Sequence, residues 1–213
     1  MGIAEIVTIV VLILSIVLHE VAHGYAANWL GDPTARLAGR LTANPIPHID
    51  PIGSVVVPAM LFLSGSGFLM GWAKPVPYNP YNLRNQRWGE SFVAFAGPAT
   101  NFLLAIIFAV LVRLAIPLEL SPSFVDLASY VVYINVLLGL FNLIPFPPLD
   151  GSKVIEAFLP LRLRMQYREL SMKIDRMGIV ASIALIFVFM TILWKPFSAL
   201  IGTVTGFLLG FSF

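Results

Sequence analysis

Apolar residues in this chain come in long unbroken runs, with few polar positions to break them into faces. Nearly charge-free stretches recur at residues 6–31, 51–73, 91–112, 127–149, 177–194 and 196–213. Each approaches or exceeds the roughly 20 apolar residues that a membrane-spanning helix needs. Between them the pattern changes. Residues 31–51, "GDPTARLAGRLTANPIPHIDP", begin with a glycine suited to a helix end and a proline two positions on, then alternate through 35–43 in the manner of a short strand or hairpin. Residues 74–89 hold three prolines and three asparagines and read as a loop. Residues 150–176 mix apolar positions with Lys153, Arg162, Arg164, Arg168, Lys173 and Arg176, a pattern that suits an amphipathic interfacial helix.

Composition agrees with the pattern. Of the 213 residues, 58% are hydrophobic and 11% charged, and the mean hydropathy is +0.88. These values place the chain among integral membrane proteins. The expected fold is an all-α polytopic membrane protein, organised as a single membrane-embedded domain over residues 1–213. It should have about five spanning helices, a re-entrant membrane hairpin and a short β region near the site. The first run is too long for a secretory signal and lacks a basic leader, so it is expected to stay in the mature protein. There are no cysteines, which excludes disulfides and thiolate metal sites. A net charge of +2 offers nothing to nucleic acid.

The basic residues speak to orientation instead. All but Arg113 and Lys195 fall in the segments 31–51, 74–89 and 150–176, whereas the connection 117–126 carries only Glu119 and Asp126. The positive-inside rule puts the three basic segments in the cytosol. Run 51–73 is then flanked by cytosolic loops on both sides and should enter and leave on one face, with "SGSG" at 64–67 as its turn. The helices ending near His23 and Asp150 would run parallel.

The chemistry is concentrated in "VLHEVAHGYA", residues 17–26, where His19, Glu20 and His23 interrupt an apolar run. A spacing of four sets the two imidazoles about 40° apart on one helix face, as two ligands of one metal require. They could instead be ordinary helix histidines bonded to neighbours. An acid near the middle of a membrane helix costs roughly 2.5–3.5 kcal/mol, however, so Glu20 should have a partner or a task. A tetrahedral hydrolytic zinc needs a third protein ligand and a water, and no further histidine lies in a membrane run. Asp150 in "FNLIPFPPLDGSK" is a candidate, because Pro145, Pro147 and Pro148 must leave irregular chain at membrane depth. It could equally turn the chain and cap a following helix; residue type does not choose.

His19-Glu20-x-x-His23 together with Asn142-x-x-Pro145-x-x-x-Leu149-Asp150-Gly151 resembles the motif pair of the site-2 protease family, intramembrane zinc metalloproteases of peptidase family M50. "GDPTARLAGRLTANPIPHIDPIGS", "WAKPVPYNP" and "AGPATN" extend the likeness across at least residues 17–151. The resemblance implies one Zn2+ per chain on His19, His23 and Asp150, with Glu20 activating water and Asn142 beside the scissile carbonyl. Hydrolysis would then need no acyl-enzyme. Asn142 could donate to the developing oxyanion or satisfy carbonyls freed by Pro145. Asn101 fits helix packing, and His48 a role within its loop. The implied activity is endoproteolysis of transmembrane or membrane-anchored substrates near the cytosolic side of a prokaryotic cell membrane. The chain reads as a compact form without a PDZ-like insertion. Its substrate must unwind locally, and strand 35–43 would offer an edge for it or merely cover the rim. Two other readings are a membrane zinc protease cutting surface or misfolded segments and a non-catalytic zinc scaffold or carrier. The sequence sets no oligomeric state.

Overall fold

The computed structural model describes residues 3–57, 60, 72–115, 117–178, 184 and 188–210. They fall into two compact units, Met1–Gly89 and Glu90–Phe213. Among the described residues four helices are long and apolar enough to cross a membrane, Ile9–Trp29, Gly89–Ala115, Pro122–Asn142 and Thr191–Leu209. The chain is an integral membrane protein.

The first unit is built on α1, Ile3–Trp29. It ends where Gly31 takes a φ of +111°, a conformation open to glycine at little cost. Asp32 then accepts from the Thr34 backbone N–H at 3.2 Å and the Thr34 hydroxyl at 2.6 Å, which starts the single helical turn α2, Thr34–Leu37. The strand expected at 35–43 is therefore not formed. Its alternation is short enough to fit a helical turn as well: Ala35 is buried on that turn, and Gly39 at φ +66° ends it. No strand forms among the described residues, so this segment supplies no edge for a substrate.

Gly24 allows the rest of the unit to approach α1. A methyl group there would meet Leu41 Cδ2 at 2.6 Å, Val76 Cγ1 at 2.9 Å and the Ala35 methyl at 3.2 Å. Beyond a 3-10 turn at Ile46–His48, the Asp50 side chain accepts from the Ile52 and Gly53 amides and opens a π-helical turn, Pro51–Val56. The body of the expected re-entrant hairpin lies outside the described residues. Residues 72–79 run without helix to a 3-10 turn at Pro80–Asn82.

In the second unit α3, Gly89–Ala115, takes Pro98 into its interior, and α4, Pro122–Asn142, starts with proline in its first turn. Small residues of α3 (Ala105, Ala109) meet Ala128, Val132 and Val136 of α4 and Ile201 and Leu209 of the last helix in one buried cluster. Buried Asn101 donates to the buried Asn135 side chain at 2.9 Å, joining α3 to α4. The basic stretch 150–176 is two helices, not one: α5, Asp150–Phe158, and α6, Leu161–Met177. The break falls at Pro160, before which Leu159 is extended.

The last helix, α7, Trp194–Leu209, follows a π-helical turn at Phe189–Leu193. Lys195, which divides the last two apolar runs of the sequence, is the second residue of this helix. Lys195 is exposed, and Pro196 sits in the first turn, where its missing N–H costs nothing. Residues 179–183 and 185–187 of run 177–194 lie outside the described residues.

Candidate metal and catalytic site

On α1 the spacing of four does what helix geometry requires. His19 and His23 are both buried, and their Nε2 atoms stand 3.1 Å apart with the rings nearly perpendicular, at 87°. Two nitrogens at about 2.0–2.1 Å from one tetrahedral zinc would be about 3.3–3.4 Å apart. The pair thus fits two adjacent zinc ligands with a shift of tenths of an ångström. Glu20, half-buried beside them, accepts a hydrogen bond at Oε2 from the Val76 backbone N–H at 2.9 Å.

Past the end of α1, Asp32 ties the chain together. It is fully buried and accepts from the Asn79 amide at 2.6 Å and the Asn82 side chain at 2.8 Å, besides Thr34. Burial alone would raise the carboxyl pKa; the hydrogen bonds from Thr34, Asn82 and Asn79 outweigh it and hold the pKa below its ordinary value. His48 sits wholly buried in its loop. Its Nε2 donates to the Thr42 carbonyl at 3.0 Å, and Nδ1 faces Arg40 Nη2 at 3.4 Å.

In the second unit, Asn142 is the last residue of α4, and its amide nitrogen donates back to the Leu138 carbonyl at 3.0 Å. One of its two amide hydrogens is thereby committed to the helix end. The proline-rich loop that follows brings the chain back on itself. A methyl group on Gly151 would lie 2.2 Å from the Leu143 carbonyl oxygen, so only glycine fits there. Asp150 is the first residue of α5, after Leu149 at the cap position. The Tyr167 hydroxyl of α6 donates to the Pro145 carbonyl at 3.1 Å, and the Ser91 hydroxyl of α3 to the Lys153 carbonyl at 2.7 Å. Arg168 lies 3.3 Å from Glu90 and 3.7 Å from Glu156. Burial pushes the Glu156 carboxyl upward against the pull of Arg168, and burial with Glu156 nearby raises the Tyr167 phenol.

Sequence reasoning named His19, Glu20, His23, Asn142 and Asp150 but passed over Val76, Arg40, Asp32 and Tyr167. One signal was readable: "KPVP" leaves a single amide hydrogen between two prolines.

The family whose profile matches is Peptidase family M50, over residues 7–125 and 118–190. A relative named "Putative zinc metalloprotease YwhC", from Bacillus subtilis, is 38% identical over 162 residues, covering 73% of this chain and 70% of its own. "Putative zinc metalloprotease Rip2" from Mycolicibacterium smegmatis is 31% identical over 69% of this chain and 55% of its own. "Zinc metalloprotease MJ0392" from Methanocaldococcus jannaschii is 26% identical over 72% and 34%. The chain thus spans little more than half of one of these relatives and a third of another. No solved structure matches it. Zn2+ is the metal that the family and these relatives imply, and two histidine nitrogens with a carboxylate are a donor set that zinc accepts. On the profile match and the similarity to YwhC, this chain belongs to peptidase family M50.

Proposed function

We propose that the protein is an intramembrane zinc endopeptidase that cuts transmembrane or membrane-anchored proteins near the cytosolic face of a prokaryotic cell membrane. The observation that carries this reading is the buried His19–His23 pair, with Glu20 beside it, on a helix of membrane-spanning length. His19, His23 and Asp150 hold the metal, each through one ring nitrogen or carboxylate oxygen. A zinc ion held by them supplies a Lewis acid that polarises the scissile carbonyl and makes water acidic enough to ionise near neutral pH.

The remaining work falls to the chain. Glu20 takes the proton of the attacking water and returns it to the leaving amide nitrogen. Its Oε2 already accepts from Val76, which leaves Oε1 for that proton. The second amide hydrogen of Asn142 is the one available to the carbonyl oxygen as charge develops there. Orientation follows from the basic segments, which include Arg162, Arg164, Arg168, Lys173 and Arg176 of α6 and favour the cytosolic side.

The test is cleavage of a one-span substrate by purified wild-type protein and by Glu20→Gln in liposomes, with product termini mapped by mass spectrometry. Cuts in or beside the span that need Glu20, and that increase when Gly or Pro loosens the substrate helix, support the proposal. Cuts confined to soluble tails would favour a surface protease. Zinc binding with no Glu20-dependent cut would favour a non-catalytic scaffold.

A further inference from the structure

Residues 72–79 form a strap whose backbone is tied to the first unit position by position. The Trp72 amide donates to the Gly53 carbonyl at 3.1 Å and the Lys74 amide to the His48 carbonyl at 2.8 Å. The Lys74 carbonyl accepts from Arg40 at 2.7 Å. The Val76 amide then donates to Glu20 at 2.9 Å and the Asn79 amide to Asp32 at 2.6 Å. Pro75 and Pro77 lack an N–H, so between Lys74 and Tyr78 the one backbone donor is the one that meets Glu20.

Arg40 is an unusual anchor. It is 7% exposed, and among the described residues its guanidinium is matched to no carboxylate. Its partners are the Lys74 carbonyl and the His48 ring, while Nε is buried with no acceptor. His48 Nε2 reaches a carbonyl, which can only accept, so Nε2 carries the proton and Nδ1 offers its lone pair to Arg40. Burying a cation on such terms is costly. What it secures is the strap, two residues before the amide that engages Glu20.

We propose that Arg40 is a positioning residue for the peptidase reaction. By holding the Lys74 carbonyl it fixes the strap, so that the Val76 amide keeps Glu20 Oε2 engaged and Oε1 directed at the attacking water. The proposal rests on the reading of Glu20 as the general base. A glutamate has three free torsions, and a displacement of about 1 Å at such a group costs on the order of 100-fold in rate.

Its test has a readout independent of turnover. Val76 stands alone between prolines, so hydrogen–deuterium exchange in a peptide cut to this region reports the contact directly. In purified full-length Arg40→Met, zinc content should stay at the wild-type level while Val76 exchange rises by about tenfold or more. Over the same comparison kcat should fall on the order of 10- to 100-fold, with KM within about twofold. Arg40→Lys should restore most of both, because an ammonium can donate to the same carbonyl. Unchanged Val76 exchange in Arg40→Met overturns the proposal, as does a kcat loss that tracks loss of zinc or an unaltered kcat despite fast exchange. If Arg40→Met fails to fold, Glu20→Ala should free Val76 whereas Glu20→Gln, which keeps an acceptor oxygen, should not; equal exchange in those two sinks the idea. Should Val76 respond as expected while no substrate is cut in a Glu20-dependent way, the strap contact stands and the peptidase reading fails.

Discussion

In the histidine turn of α1 three ionisable side chains stand on one helix, and the helix repeat alone brings His19 Nε2 within 3.1 Å of His23 Nε2. In the stretch from Asn142 to Ser152 the side chains share no such element. Asn142 ends one helix, Asp150 starts another, and their separation is fixed by backbone: the close approach of Gly151 to the Leu143 carbonyl and the Tyr167 bond to the Pro145 carbonyl. A periodic element tolerates changes around it so long as it stays helical. A loop held by backbone contact depends on single residues that carry no chemistry of their own. The two regions should therefore fail differently.

The largest effects come from the chemical groups, and they sharpen the comparison by asking whether both regions serve one metal. His19→Ala, His23→Ala and Asp150→Ala should each lower bound zinc and abolish cleavage. Glu20→Gln should keep zinc and lose turnover by about 10²–10⁴-fold, because a base donates nothing to the metal. Metal analysis beside a cleavage assay separates these classes. Full zinc in Asp150→Ala would reduce that residue to the start of α5.

Next come the two glycines. Alanine at Gly151 would meet a carbonyl oxygen at 2.2 Å and carbonyl carbon at 2.4 Å, backbone that cannot move without moving the loop. Alanine at Gly24 meets the end of Leu41, which can turn aside, and the shorter Val76 and Ala35 side chains, which give less, but no backbone atom. Gly151→Ala should lose activity and cost at least the 1–3 kcal/mol typical of overpacking, whereas Gly24→Ala should cost less, offset by about 1 kcal/mol of helix propensity. Thermal unfolding in detergent with zinc content measured alongside would show it. Equal losses at the two positions would mean that the strap packs on α1 as rigidly as the loop packs on α5.

These differences also explain what could be read from the sequence. The meeting of His19 and His23 was legible because a four-residue spacing has one geometric meaning on a helix, and α1 was legible as an apolar run. Asp150 was not decided by sequence, because a ligand and a helix-starting aspartate are the same residue after the same prolines. Residues 35–43 were misread because Ala35, Leu37, Gly39, Leu41 and Ala43 satisfy a period of two while Ala35 also fits a turn that Gly39 ends. The Val76–Glu20 contact joins residues 56 positions apart, and no local pattern announces such a pairing.

A smaller effect belongs to the helix pair of the second unit. Replacing Asn101 with leucine removes its bond to Asn135, and interhelical hydrogen bonds in membrane proteins are worth about 0.6 kcal/mol on average and up to about 1.7. A double-mutant cycle with Asn135→Leu, read by thermal unfolding, should give a coupling in that range. A coupling of zero would assign both residues to packing alone.

The smallest effect is in pH, and it sets the two regions against each other. The Asp32 carboxyl titrates below its ordinary value of 3.8 in the folded chain, so the stability it adds is present above pH 3.8 and is lost as pH falls through the lower, folded pKa. Glu156 is the reverse case. Its folded pKa lies above 4.5, so ionising it inside the fold is unfavourable, and its contribution is best below pH 4.5 and declines as pH rises from there through the folded pKa. Lowering the pH from neutral toward 4 should therefore leave residues 72–82 as protected as before while residues 150–177 become somewhat better protected. Below about pH 3.8 the first of these should begin to open. Hydrogen exchange across the two segments at a series of pH values, corrected for intrinsic rates, measures both at once. Asp32→Asn should remove the acid-side loss at 72–82, and Glu156→Gln should flatten the profile at 150–177. A wild-type chain whose two segments open together over one pH range would show that neither carboxyl governs its own region.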